Sequence, residues 1–179
     1  MAKILGLDVS SKSTGHCIIN NGRLIKSTLG SIVPDKKSSL GGKLQYFERE
    51  LIKLLQKHNP DHVIIEDIFR GPNIITFKTL AMFRGVCFKT VYDELGKDPF
   101  CVMPTEARKL VGAKGVKKED GFDFVIKKYA LPGYEFDTHN DITDSVVLAL
   151  AYHTMQKLGL SEKDLKSKKR KRKRKKRKK

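Results

Sequence analysis

The sequence predicts an α/β fold: a mixed five-stranded sheet, three antiparallel strands followed by parallel ones, with helices on both faces. Three observations lead there. The opening extended runs are separated by Asn21-Gly22, a tight-turn pair. Apolar residues then switch to helical spacing at Leu44, Phe47, Leu51, Leu54 and Leu55. After that, short strand-like runs alternate with helical stretches, the order that builds parallel strands into a sheet covered on both sides.

Local chemistry accounts for each element in turn. Residues 3–9 and 14–20 are extended runs, and the Asn-Gly turn, whose residues tolerate positive φ, sends residues 23–29 back as a third antiparallel strand. Residues 40–55 form an amphipathic helix, and Asn59-Pro60 ends the helical run. Residues 63–69, VIIEDIF, are apolar on both faces until acids appear, as in a buried parallel strand. A long helix over residues 72–95 begins near Pro72, residues 101–103 make a short strand, and Pro104 opens a helix to about residue 110. Gly112-Ala113-Lys114-Gly115 is a loop leading to a helix over 118–130, and the last helix runs from about 140 to 158 with Thr138 or Asn140 as its cap.

At 179 residues and 39% hydrophobic content, one domain over residues 1–160 and a tail over 161–179 are expected. Thirteen of the fourteen residues in 166–179 are Lys or Arg, and taking their charge from the net +17 leaves +4. Such a block repels itself and has nothing to bury, so it is expected to be disordered. It reads either as a solubilising or localising run or as a phosphate-binding arm that includes Lys168, Lys169 and Arg170. Such an arm gains affinity by releasing counterions and reads no sequence. Three cysteines with no CxxC pair argue against a disulfide framework or a thiolate zinc site. With no membrane-length apolar run and no signal-peptide core, a soluble intracellular protein is the expectation.

Four carboxylates stand out by position. Asp8 lies within or at the end of the first strand, Glu66 ends the fourth, and Asp141 and Asp144, three residues apart, share one face of the last helix near its N-terminus. If the first and fourth strands are neighbours, Asp8 and Glu66 leave the same sheet edge and the last helix can bring the other two across it. Like charges so close destabilise a fold unless a cation neutralises them, and oxygen-only donors select Mg2+, with Mn2+ as a substitute. Two such ions would activate water and stabilise a leaving oxygen in phosphodiester hydrolysis. Taken singly, each acid has a plainer reading as a turn-former, a solvated side chain or a helix-dipole partner. Asp67 competes with Glu66, and alternation puts it on the opposite face.

The stretches ILGLDVSSKSTGHCII, VIIEDIF and HNDITDSVVLALAYH resemble, in order and spacing, the three acidic segments of the RuvC family of Holliday-junction resolvases, a branch of the RNase H-like fold. The likeness runs to about Met155. It implies a homodimeric, Mg2+-dependent endonuclease that binds four-way DNA junctions and nicks two strands of like polarity symmetrically. It implies catalytic and metal-holding roles for Asp8, Glu66, Asp141 and Asp144. Phe69 stands where the family carries an aromatic wedge that opens the junction, with Arg70 beside it on the DNA; an ordinary core or interface phenylalanine is the alternative. Pro104 to Arg108 resembles the family's Pro-led helix with a basic residue four places on, and Lys117 or Lys118 the lysine after its Gly-rich loop. With Lys114 these form a basic patch for phosphates, or else a solvated charged face. Val9-Ser10 departs from the family's usual Pro-Gly after the first acid.

Other classes fit less well. A sugar-kinase-like fold also puts an Asp after its first strand but needs a second domain, for which the chain has no room. A non-catalytic nucleic-acid-binding protein would not need four converging acids. A related nuclease acting on forks, flaps or RNA–DNA hybrids is the closest rival.

Overall fold

The computed structural model describes residues 2–68, 73–113, 115 and 117–161. Phe69, Arg70, Lys114, Lys168, Lys169 and Arg170 lie outside the described residues.

The chain runs β1 (Lys3–Asp8), β2 (Thr14–Asn20), β3 (Arg23–Leu24), β4 (Gly30–Ile32), α1 (Leu40–His58), β5 (His62–Glu66), α2 (Ile74–Leu95), β6 (Phe100–Val102), α3 (Pro104–Val111), α4 (Lys118–Tyr129) and α5 (Phe136–Lys157). The sheet order is β3-β2-β1-β5-β6, with β4 also on β2. β1 and β2 pair antiparallel, while β1 with β5 and β5 with β6 pair parallel. This is the mixed α/β sheet expected, five strand positions wide.

The third position differs in detail. In place of one continuous strand over 23–29, β3 and β4 are separated by a 3-10 turn at Lys26–Thr28. Thr28 is the reason: its hydroxyl accepts from Ile18 N–H at 2.9 Å and donates to the Ile25 carbonyl at 2.7 Å, replacing a ladder bond while bending the chain.

Alternation along the strands divides the core in two. Ile4, Cys17, Ile19 and Ile64 face α3, α4 and α5, packing with Ala107, Val125, Val146 and Leu150. Leu5, Leu7, Ile18, Val63 and Ile65 face α1 and α2, packing with Phe47, Leu51, Phe83 and Val91. The Phe47 and Phe83 rings lie 5.5 Å apart and join the two helices of that layer.

Helix ends follow their chemistry. Ser39 Oγ accepts from Gly42 N–H to start α1, and Asn59 closes it in the left-handed conformation at φ 41°. Asn73 Oδ1 accepts from the Ile75 and Thr76 N–H groups to start α2. α5 begins four residues before the expected start, and neither Thr138 nor Asn140 caps it. Both lie within the helix, where Asn140 Nδ2 donates back to the Phe136 carbonyl at 2.8 Å. Asp141 is therefore beyond the first turn, where the helix dipole has little hold on it.

Candidate active site

Strand register places the first two acids. Asp8 follows Ile4 and Gly6 on the α5 side of β1, and Glu66 follows Ile64 on the same side of β5. The parallel register Leu7↔Ile65 makes them near neighbours at the same edge of the sheet. Asp67 sits on the other side and its carboxylate pairs with Arg84 at 3.1 Å.

Two glycines bring α5 down onto that edge. A Cβ on Gly6 would overlap the Ser145 carbonyl oxygen, and one on Gly15 would overlap the Asp141 carbonyl. Their absence lets the helix backbone rest directly on β1 and β2, so Asp141 and Asp144 arrive above Asp8. The turn after Asp8 is fixed by hydroxyls. Ser10 Oγ accepts from the Lys12 and Ser13 N–H groups, while Thr14 Oγ1 accepts from Ser10 N–H and donates to the Ser10 carbonyl, each within 3.3 Å. Val9-Ser10 thus makes a hydroxyl-bonded turn in place of Pro-Gly.

The electrostatics are those of crowded acids. Asp8 is 7% exposed, and burial, then Glu66 and Asp144, push its carboxyl well above the usual range. Burial and the Asp144 charge lift Glu66 to about 7. Burial also raises Asp144, against the pull of Lys118 and Arg108. Lys118 Nζ lies 3.1 Å from Asp144 Oδ2, and the acids hold this lysine above its ordinary value although burial works the other way. Arg108, expected on a phosphate-facing patch, is instead 6% exposed, with Nη1 3.8 Å from Asp144 Oδ1 and its stem against Gly121. Lys117 is exposed at the N-terminus of α4.

The donor set fits a hard divalent cation. Every candidate ligand is a carboxylate oxygen, and Asp144 Oδ2 is buried with an ion pair but no aligned hydrogen bond. The raised carboxyls are groups whose cost of ionisation such a cation would remove. They do not yet form a closed cage: among the described residues, no three acidic, His or Cys side chains are gathered tightly enough to hold a metal. A cavity of about 320 Å³ opens onto Asp8, Glu66 and Asp141, with Lys12, Arg84 and Lys118 also on its wall. The sequence pattern did not single out Lys12 or Arg84. Lys12 lies inside the first acidic motif, and Arg84 is a lone cation in the apolar run MFRGVCF, which is the signal that could have found it.

Comparison with known proteins gives a consistent result. The family model described as crossover junction endodeoxyribonuclease RuvC matches residues 4–152. The crossover junction endodeoxyribonuclease RuvC of Campylobacter lari is 31% identical over 159 residues, covering 84% of this chain and 94% of the relative. That of Wolinella succinogenes is 29% identical over 162 residues, covering 87% and 96%. Among solved structures, Thermus thermophilus RuvC in complex with a Holliday junction substrate superposes with a TM-score of 0.74 at 14% identity, covering 89% of this chain and 97% of that one. The yeast mitochondrial Holliday junction resolvase Ydc2 gives 0.57 at 16% identity, covering 87% and 79%. At these identities the structural likeness speaks to the fold.

Proposed function

The chain belongs to the RuvC family of crossover junction endodeoxyribonucleases, and from that membership we propose that it is a metal-dependent endonuclease that resolves four-way DNA junctions and related branched DNA. It acts as a homodimer, each protomer nicking one of two strands of like polarity. Residues 1–160 make the nuclease domain, and residues 161–179 are a basic arm on DNA. The observation that carries the reading is the meeting of Asp8, Glu66 and Asp144 where α5 crosses the ends of β1 and β5, mutually repelling, with Asp8 and Glu66 opening onto a cavity that Asp141 also lines.

Asp8, Glu66, Asp141 and Asp144 would hold Mg2+, or Mn2+ in its place, which when bound supplies an activated water and positive charge at the leaving oxygen of the scissile phosphodiester. The remaining chemistry belongs to the chain. β1 and β5 hold Asp8 and Glu66 on rigid, buried backbone, so their oxygens need little reorganisation. Arg108 orients Asp144 from behind. Lys118, its side chain half exposed, is placed to leave Asp144 for a phosphate oxygen as the DNA enters. Lys12 and Lys117 add phosphate contacts on either side, while Phe69 and Arg70 act at the opened branch point and Lys114 on the backbone.

The test is nicking of an immobile four-way junction by the purified protein with Mg2+, run beside fork, flap, linear duplex and RNA–DNA hybrid. Cutting near the branch point of the junction is expected, lost in Asp8→Asn and Glu66→Gln while junction binding survives. Equal cutting by Asp8→Asn and the unaltered protein would sink the catalytic assignment. A stronger preference for fork, flap or hybrid would move the substrate.

A further inference from the structure

Among the described residues, Arg84 is the one cation on the cavity wall whose donors are committed to backbone and neighbours rather than to the acid cluster. It projects from α2 between the ends of β5 and β6 with a side chain 16% exposed. Its Nη1 donates to the Glu66 carbonyl at 2.8 Å. Its Nη2 donates to Cys101 Sγ at 2.9 Å and pairs with Asp67 Oδ1 at 3.1 Å. The Phe88 ring lies 5.3 Å beneath the guanidinium carbon and keeps the fork flat against the strands.

These contacts fall where the sheet stops supporting Glu66. The β1–β5 ladder ends at Leu7↔Ile65, one residue short of the acid. On the other side the chain is tied by Glu66↔Val102 and by Asp67 N–H donating to the Val102 carbonyl at 2.8 Å. The Glu66 carbonyl, on the side β1 has left, takes its hydrogen bond from Arg84. We propose that Arg84 is a positioning residue for Glu66: its planar fork ties the end of β5 to α2 and β6, and so fixes the direction in which the Glu66 carboxylate leaves the sheet towards Asp8. The inference rests on the nuclease reading of the acid cluster and adds a residue that never touches the substrate phosphate.

The geometry requires a guanidinium. A lysine ammonium is a single point on a flexible stem and cannot reach the carbonyl, the carboxylate and the thiol together in a plane. Released from the fork, the last residues of β5 keep their pairing with β6 but lose their fixed bearing on β1. Groups that orient a ligand from behind in this way commonly set its affinity for the metal more than the rate of the chemical step.

Full-length wild type, Arg84→Lys and Arg84→Met proteins are titrated with Mn2+ by calorimetry, their Mg2+ dependence of junction nicking is measured, and junction binding is followed in EDTA. Both variants should bind Mn2+ about 10-fold more weakly and need about 10-fold more Mg2+ for half-maximal nicking, with the rate at saturating Mg2+ within about 3-fold of wild type. Junction binding in EDTA should be unchanged. A purely structural role would lower thermal stability and leave the metal dependence where it was. Arg84→Lys with wild-type Mn2+ affinity overturns the proposal, as does an Arg84→Lys protein that does not fold, since that assigns the residue to stability alone. Wild-type protein that binds Mn2+ but cuts no branched DNA fails the nuclease reading, while the comparison of Mn2+ affinities still decides on Arg84. No Mn2+ binding by wild type overturns both.

Discussion

At the scale of single residues, the site stores an electrostatic conflict whose sign can be worked out. Glu66 has a folded value of about 7 against an ordinary 4.5, so the folded state holds its proton more tightly than the unfolded chain. Below about pH 4.5 both states are protonated and nothing is lost; as pH rises towards 7 the unfolded chain ionises freely and the folded one does so at a cost. Stability from this group therefore falls with rising pH in the metal-free protein. Glu66→Gln removes the conflict, so without metal its Tm should exceed wild type at about pH 8 and approach it at about pH 5, by an energy on the order of 2 kcal/mol. Mg2+ should raise the wild-type Tm more at the higher pH and leave Glu66→Gln less affected. His16 runs the other way: burial lowers it while its Nδ1–H donates to the Thr28 carbonyl at 3.0 Å, so it withdraws stability as pH falls below 6.5. Because both proteins share His16, the difference between them reports Glu66 together with the relief its loss gives Asp8. A Tm difference that does not change with pH would reject the conflict.

At the scale of elements, the seating of α5 is the decisive contact, and it depends on atoms that are missing. Gly15→Ala would drive a methyl group into the Asp141 backbone, and Gly6→Ala one into the Ser145 carbonyl with Ala149 Cβ only 3.0 Å away. Neither obstacle is a flexible side chain. Each variant should lose about 1–3 kcal/mol or more in denaturant unfolding, and Gly15→Ala, which shifts the turn bearing Asp141, should also lose Mg2+-dependent nicking. Gly41→Ala is the control: it lies in α1 with nothing within 4 Å of its Cβ, so it should be neutral or gain up to about 1 kcal/mol. Equal losses at all three positions would show that the close approach is not the cause. The same contact marks how far the sequence can be read. Alternation from Ile4 through Gly6 to Asp8, and from Ile64 to Glu66, is legible there, and with it the shared face of the acids. The glycines are visible too, but nothing local says that a helix more than a hundred residues later lies on them. Thr28 likewise reads as an ordinary strand residue until its hydroxyl is seen bonding across to Ile18. Arg108 sits on a polar helix and looks solvated until α4 presents a glycine against its stem. Period and turn chemistry carry over from sequence; long-range burial of one side chain by another does not.

At the scale of the whole molecule, the bulk of the net positive charge falls outside the acidic segments of the sequence, in residues 166–179. Asp144 lies in the first half of α5, which ends at Lys157, so about 20 Å of helix separates the acid from the end of α5. None of the described helices is long and apolar enough to cross a membrane. The thirteen charges in 166–179 are of the kind that gains affinity for phosphates by releasing counterions. Fully extended, residues 161–179 span at most about 60 Å, enough to follow a duplex arm away from the branch point. The arm should therefore supply affinity while the acid cluster supplies the position of cutting. Deleting residues 166–179 should weaken junction and linear-duplex binding alike and flatten the dependence of log K on log salt. If roughly half of the thirteen charges meet phosphates, the slope should drop by about 6, since each neutralised phosphate contributes about 0.9. At low salt and saturating protein the truncated chain should still nick at the same phosphodiesters, read on a sequencing gel, because Asp8, Glu66, Asp141, Asp144 and Lys118 are untouched. An unchanged salt slope would remove the tail from the DNA. A shifted cleavage position would mean instead that the tail reaches back to the branch point and helps to place the scissile strand.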